Sequence, residues 1–310
     1  MLKFVIKRLL LLIPIVIAIS LVAFSLVRLI PGNTAAAYLT AAGIPPTDDA
    51  IIAVTHELGL DKPFFTQYFQ WLKDAIHFDF GTSFLNNKPV SVEILGAFAN
   101  TMKLVLVSII MMLSISIPLG IFTALFPNGK IDNFGRVFAF IGTSMPSFWL
   151  GLLLVQLFSV QLGWFPVSGM GGIKHLILPS FTLAVLYIAT YSRVLRNSLL
   201  ENMGKRYVLF SRARGIKESR IIGNHVFRTS LTPVITTLGV NFGNMLAGTI
   251  IIEIIFSWPG IGRLILGSIT GRDLPMIQGY IVLMSMVFIT INLLADVLCA
   301  ALDPRIRLER

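Results

Sequence analysis

The sequence predicts an all-α protein, a polytopic membrane bundle of six transmembrane helices with both termini cytoplasmic. Three observations carry that reading. The composition is 55% hydrophobic and only 13% charged, too little polar surface for the exterior of a soluble globule. Uncharged runs long enough for a hydrocarbon core of about 30 Å recur along the chain. Lys and Arg gather in alternate connections, as the positive-inside rule requires, so the net charge of +10 is a topology signal and implies no nucleic-acid partner.

The expected spans are Leu9–Val27, Thr101–Phe126, Val137–Val160, Ile177–Tyr191, Pro233–Trp258 and Gly279–Leu302. Residues 1–30 read as a retained signal-anchor helix, because the apolar run exceeds that of a cleavable signal peptide. Residues 31–93 form an outward segment. In it Thr47 is expected to cap a short helix with acids in its first turn, ended by Gly59. A second helix follows Pro63, with Phe65, Phe69, Leu72 and Ile76 as an apolar stripe, and the pair is expected to pack as an outer cap. Residues 94–303 form the membrane core, with a long cytoplasmic connection at 193–232, and 304–310 are a cytoplasmic tail.

Chemistry-bearing patterns are scarce. No phosphate-binding loop, nucleophile–base set or zinc-ligand spacing is present, so no enzyme activity, cofactor or resident metal is expected. His56 and His77 read as ordinary surface residues, and the single cysteine, Cys299, excludes a disulfide framework. Helix breakers inside the spans, Pro118, Pro146, Gly239, Gly243 and Gly248, suit either a watery pathway or close helix packing. Asn241, Asn244 and Glu253 share the fifth span and make it a candidate wall of the pathway. An intramembrane acid needs a partner, and for Glu253 the expectation is Arg263 or Arg272, holding an outer gate, or else a cationic substrate. For Asp296 the expected neighbour is Arg193, Arg196 or a backbone amide.

The stretch "RARGIKESRIIGNHVFRTSLTPVI", residues 212–235, is a basic island in this apolar chain. Gly215 allows a tight turn. Ile216, Ile221, Ile222, Val226 and Phe227 then fall near one face, and Pro233 is expected to open the next span. The pattern suits a helix lying along the bundle with a polar face toward the cytosol, a knob that another protein can grip.

That stretch resembles the cytoplasmic loop of ABC importer permeases in the dipeptide, oligopeptide and nickel branch. "EIIFSWPGIGRLILGSITGRDLPMIQ", residues 253–278, is similar to the same branch, as are "TSMPSFWLG", "ILPSFTLA", "NLLAD", "LDPRIR", "LIPGN" and "FDFGTSF", so the resemblance covers essentially the whole chain. The acid that names the Glu-Ala-Ala loop is missing, with Ser211 and Arg212 near its place. The resemblance implies a type I ABC importer permease fold of the B-type subunit. It also implies a second homologous permease subunit, two cytoplasmic ATPase subunits that bind the ATP, an extracytoplasmic substrate-binding protein and surrounding membrane lipid. By the same resemblance Ser211, Arg212, Ala213, Arg214, Gly215, Ile216, Glu218 and Arg220 form the ATPase-coupling loop.

Candidate pathway or gate residues are Met145, Pro146, Asn241, Asn244, Glu253, Trp258 and Asp273. The substrate stays open between nickel, free or chelated, and di- or oligopeptides; residues 147–172 lean toward nickel permeases, and Met145, Met170, Met245 and Met276 could offer soft contacts. The alternative is a secondary transporter or channel working without an ATPase, which would more often show inverted repeats.

Overall fold

The computed structural model of the chain describes residues 2–29 and 33–302. Among them there is no strand, only an isolated antiparallel bridge between Thr82 and Pro89. The helices follow in the order α1 (Leu2–Leu29), α2 (Thr34–Ala41), α3 (Asp48–Glu57), α4 (Phe64–Ile76), α5 (Val90–Leu125), α6 (Lys130–Ser144), α7 (Ser147–Leu154), α8 (Ile173–Met203), α9 (Arg206–Ala213), α10 (Glu218–Arg220), α11 (Phe227–Ile255), α12 (Ile261–Thr270) and α13 (Leu274–Leu302). A wider π turn, Val155–Gln161, continues α7, and another, Ile221–Val226, joins α10 to α11. The side chains of Asp296 and Cys299, the tail from 303 and part of the "LIPGN" stretch lie outside the described residues.

Four helical stretches among the described residues are long and apolar enough to cross a membrane: Val90–Leu125, Ile173–Met203, Glu218–Ile255 and Leu274–Leu294. Lys130–Gly142 and Ser147–Gln161 add a fifth if taken as one broken span, bent by 105°. The expected third span, Val137–Val160, is therefore not one continuous helix. Met145, the residue before a proline, is extended at φ −84°, ψ 129°, and Pro146 is extended too, so the helix stops and restarts. The fourth span is longer than expected: α8 runs on through Arg193 and Arg196 to Met203. The fifth does not open at Pro233, which lies inside α11. In both cases charge ends the apolar run without ending the helix.

The chain forms two compact units, described in turn. One comprises residues 1–100 and 259–290. Asn33 caps α2 by accepting the Ala35 and Ala36 amides. Thr47 occupies the cap position of α3 without a side-chain cap bond, leaving Asp48 and Asp49 to complement the helix dipole. Gly59 takes φ +62° just past α3, the expected stop. α3 packs on α2 through Ala35, Leu39 and Val54.

α4 packs against α1, where Phe24 meets the Phe64 and Tyr68 rings at 5.4 and 5.6 Å. The two helices expected to pack on each other pair elsewhere, α3 with α2 and α4 with α1. Three of the four stripe residues on α4 are uncovered: Phe65, Phe69 and Ile76 are 63%, 63% and 70% exposed and Leu72 is half-buried, while Tyr68 and Ala75 are buried. Periodicity identified an apolar face but not what covers it. A larger core joins Phe80, Val90, Ile94, Ile261, Met276 and Val282. There a Cβ on Gly279 would come within 2.8 Å of Val90 and 2.9 Å of Ile94.

The other unit comprises residues 101–258 and 291–310. Its centre is α8, which packs against α6, α7 and α11. Leu178, Leu183, Ala184, Ile188, Ala189, Tyr191, Leu195 and Leu199 are buried along it. α8 ends near a polar tie, Asn202 Nδ2 donating to Ser230 Oγ at 3.0 Å.

Candidate coupling loop and pathway helix

The loop after α8 is built around one left-handed residue. α9 ends at Ala213; Arg214 is its C-cap, and Gly215 takes φ +73°, donating its N–H to the Arg212 carbonyl at 2.9 Å. The Ile216 N–H reaches the Ser211 carbonyl at 3.2 Å, closing the turn, and Ser211 Oγ bonds the Tyr207 carbonyl at 2.8 Å. α10 restarts the helix at Glu218, and Arg220 is its last residue.

Arg212 spans the turn, its Nε donating to Glu218 Oε2 at 3.0 Å and its Nη2 to Oε1. That hydrogen-bonded guanidinium holds the exposed Glu218 carboxyl below the ordinary carboxylate range. The turn is anchored beneath by Val208, Ile221 and Val226, all fully buried, whereas Arg212, Ala213, Arg214, Gly215, Glu218 and Arg220 are exposed and Ser211 and Ile216 half-buried. An added Cβ at Gly215 meets nothing within 4 Å, so the glycine is required by its dihedral and not by crowding within the chain. The arrangement is an exposed helix–turn–helix knob whose turn is closed by its own backbone bonds and the Arg212–Glu218 clamp. Sequence reasoning missed its apolar tip: Leu209 and Phe210 are 59% and 70% exposed, and two large apolar residues between Arg206 and Arg212 were the available signal.

The pathway candidates separate. Glu253 on α11 is fully buried and accepts a hydrogen bond from Thr101 Oγ1 at 2.5 Å, a partner absent from the sequence expectation. Its carbonyl accepts the N–H of Trp258, itself buried, at 2.8 Å. Asn244 Nδ2 donates to Asn241 Oδ1 at 3.4 Å, with Asn244 exposed and Asn241 half-exposed. Met145 and Pro146 form the break between α6 and α7.

Asp273, in the other unit, is buried and anchors the 83–84 backbone. It accepts from the Ser83 hydroxyl, from the Phe84 N–H at 3.1 Å and from the Met276 N–H at 3.4 Å. It borders a cavity of about 410 Å³ together with Glu93 and Arg263.

Like the Arg212–Glu218 clamp, a buried charged contact at α6 was not foreseen. Asp132 at the start of α6 is fully buried, and Arg196 grips it with Nε to Oδ1 and Nη2 to Oδ2, both 2.8 Å. Arg196, one of the three neighbours expected for Asp296, pairs with Asp132, while the Asp296 side chain lies outside the described residues. The available signal was a lone acid four residues before Arg136, which approaches it at 3.7 Å.

Comparison with known proteins places these features. Residues 116–308 match the family described as binding-protein-dependent transport system inner membrane component, and residues 1–105 match the N-terminal part described for such membrane components. The chain is 40% identical over 308 residues to the glutathione transport system permease protein GsiC of Salmonella paratyphi A, covering 99% of each chain. The GsiC of Escherichia coli K12 is 39% identical over 307 residues, again with 99% of each covered. An inward-facing structure of the MetNI methionine ABC transporter aligns with a TM-score of 0.56 at 16% identity, over 68% of this chain and 96% of that one, which shows a shared fold. An all-α chain with several membrane-length helices that matches these families along its length is a bacterial inner-membrane protein, and it belongs to the family of binding-protein-dependent ABC importer permeases.

Proposed function

We propose that this permease forms half of a translocation pathway for a short peptide of the glutathione class and is moved by ATP hydrolysed on partner chains. The observation that carries the coupling role is the knob at residues 206–220, whose exposed Leu209, Phe210, Ala213 and Arg214 surround a turn held by Gly215 and clamped by Arg212 and Glu218. A rigid protrusion transmits force; a loose loop does not. In this reading a second homologous permease completes the pathway, two ATPase subunits hold the knobs, and a binding protein delivers substrate from the far side. In the same reading both termini and residues 193–232 are cytoplasmic, which the positive-inside distribution of Lys and Arg supports. ATP is bound by the partners, and this chain contributes the cap at 31–93 and the core at 94–303.

The peptide reading is preferred to nickel because the relatives described above are named for glutathione. Asn241, Asn244 and Glu253 are the residues of α11 assigned to the pathway wall or gate. Uptake of labelled glutathione, a dipeptide, an oligopeptide and nickel, compared in cells with and without the chain, tests the substrate. Loss of peptide-class uptake alone is expected; loss of nickel uptake alone overturns the assignment. An ATPase that fails to copurify with the chain overturns the coupling role.

A further inference from the structure

We propose that α4 is an interfacial membrane helix, with its Phe65, Phe69 and Ile76 edge among lipid acyl chains and not in the outer aqueous space. The proposal rests on reading α1 as a membrane-spanning helix. Residues 9–27 carry no charge and form about 28 Å of helix at 1.5 Å per residue, which fills a hydrocarbon core of about 30 Å. The run has no spare length to stand above the bilayer.

α4 packs beside that run. Tyr68 Oη lies 2.9 Å from Ser20 Oγ and 3.3 Å from the Ile17 carbonyl, and the Phe64, Tyr68 and Trp71 rings surround Phe24. Phe24 and Ser20 are about 5 and 10 Å below Val27 along α1, the depth at which interfacial helices sit. Arg28, one residue beyond the run, donates to Gln67 and lies 5.3 Å from the Phe24 ring, a charge at the edge of the apolar zone with its stem and ring inside.

The faces of α4 are segregated in the way such a position demands. Phe64, Tyr68 and Trp71 face α1, with Ala75 buried on the same side against Phe80 and Val90; Thr66, Gln70 and Lys73 form an exposed polar face; Phe65, Phe69 and Ile76 form an exposed apolar one. Those three side chains, 63%, 63% and 70% exposed, have no cover among the described residues. The exposed Val22 and Leu26 of α1 lie at the same depth, 55% and 53% uncovered, so the apolar surface continues from a spanning helix onto α4. Acyl chains are the occupant that satisfies both.

The test uses the assembled importer in phosphatidylethanolamine–phosphatidylglycerol vesicles. Nitroxide labels are placed on single cysteines, Phe65→Cys, Phe69→Cys, Ile76→Cys and Gln70→Cys, each with Cys299→Ser. Power saturation then compares collisions with oxygen and with a water-soluble nickel chelate. A several-fold higher oxygen-to-nickel ratio at 65, 69 and 76 than at 70 is expected. Equal ratios put the edge in water, and immobilised labels shielded from both reagents put a protein partner there; either overturns the proposal.

The unsubstituted importer gives a second reading through an acyl-chain diazirine lipid. Tags on both α4 and the Val22–Leu26 segment are expected. Tags on α1 without α4 sink the interfacial helix alone, and tags on neither sink the reading of α1 as a span.

Discussion

At the scale of single residues, Gly215, Asp132 and Glu253 give the sharpest expectations. The left-handed dihedral at Gly215 costs a residue with a Cβ about 1–2 kcal/mol, while the space around that Cβ is open. Gly215→Asn, which tolerates positive φ, should therefore retain uptake and ATPase association, and Gly215→Val should lose both without loss of chain from the membrane. Equal uptake by the two variants would dismiss the role of the turn. Asp132→Asn leaves Arg196 without its carboxylate in a largely buried site, and a loss of about 3 kcal/mol is expected. Thermal unfolding of the purified importer should show it, with partial recovery in Asp132→Asn combined with Arg196→Gln. Glu253→Gln keeps an acceptor for Thr101 and should preserve expression, so uptake reports a gate role separately from folding. The Glu218 carboxyl is held below its unfolded value, so the Arg212 clamp is fully present above about pH 4.3 and lost as pH falls through the lower folded value. Protection factors for residues 212–218, that is, amide exchange corrected for its intrinsic pH dependence, should stay flat from neutral pH down to that value and fall only below it. Neither the Asp132–Arg196 nor the Thr101–Glu253 pairing was legible in the sequence, since the partners are 64 and 152 positions apart and a spacing argument reaches only a few.

At the scale of elements, the helices were legible and their boundaries were not. Apolar runs predicted α5, α8, α11 and α13, but α8 continues past its charges and α11 runs through Pro233. Hydropathy measures where lipid is tolerated, whereas a helix ends where its backbone bonds end. Pro146 is the converse case: a residue with no N–H amid an uninterrupted apolar run splits α6 from α7. Close approach of elements was equally hidden. Gly279 on α13 lies where a Cβ would press on Val90 and Ile94 of α5, so Gly279→Val should lower stability by about 1–3 kcal/mol. A melting temperature unchanged from the parent importer would refute that packing.

At the scale of the whole molecule, the sequence by itself determined the compartment, the all-α class and the family, because each follows from properties that need no folding. Composition sets solubility in lipid, the placement of Lys and Arg carries the expected orientation, and motifs such as "RARG" and "WPGIG" are contiguous. The same local signal located the knob, since its turn is closed by residues within a few positions of Gly215. Tertiary structure alone decided which acids are anchors. Asp273, a gate candidate by motif, ties down the backbone 189 residues away, and Arg196 serves Asp132. It also decided which apolar face is covered, turning the stripe on α4 from an expected core into an uncovered surface. The physical reason is that periodicity reports the side chains of one helix, whereas burial and charge pairing depend on what the rest of the chain brings beside it.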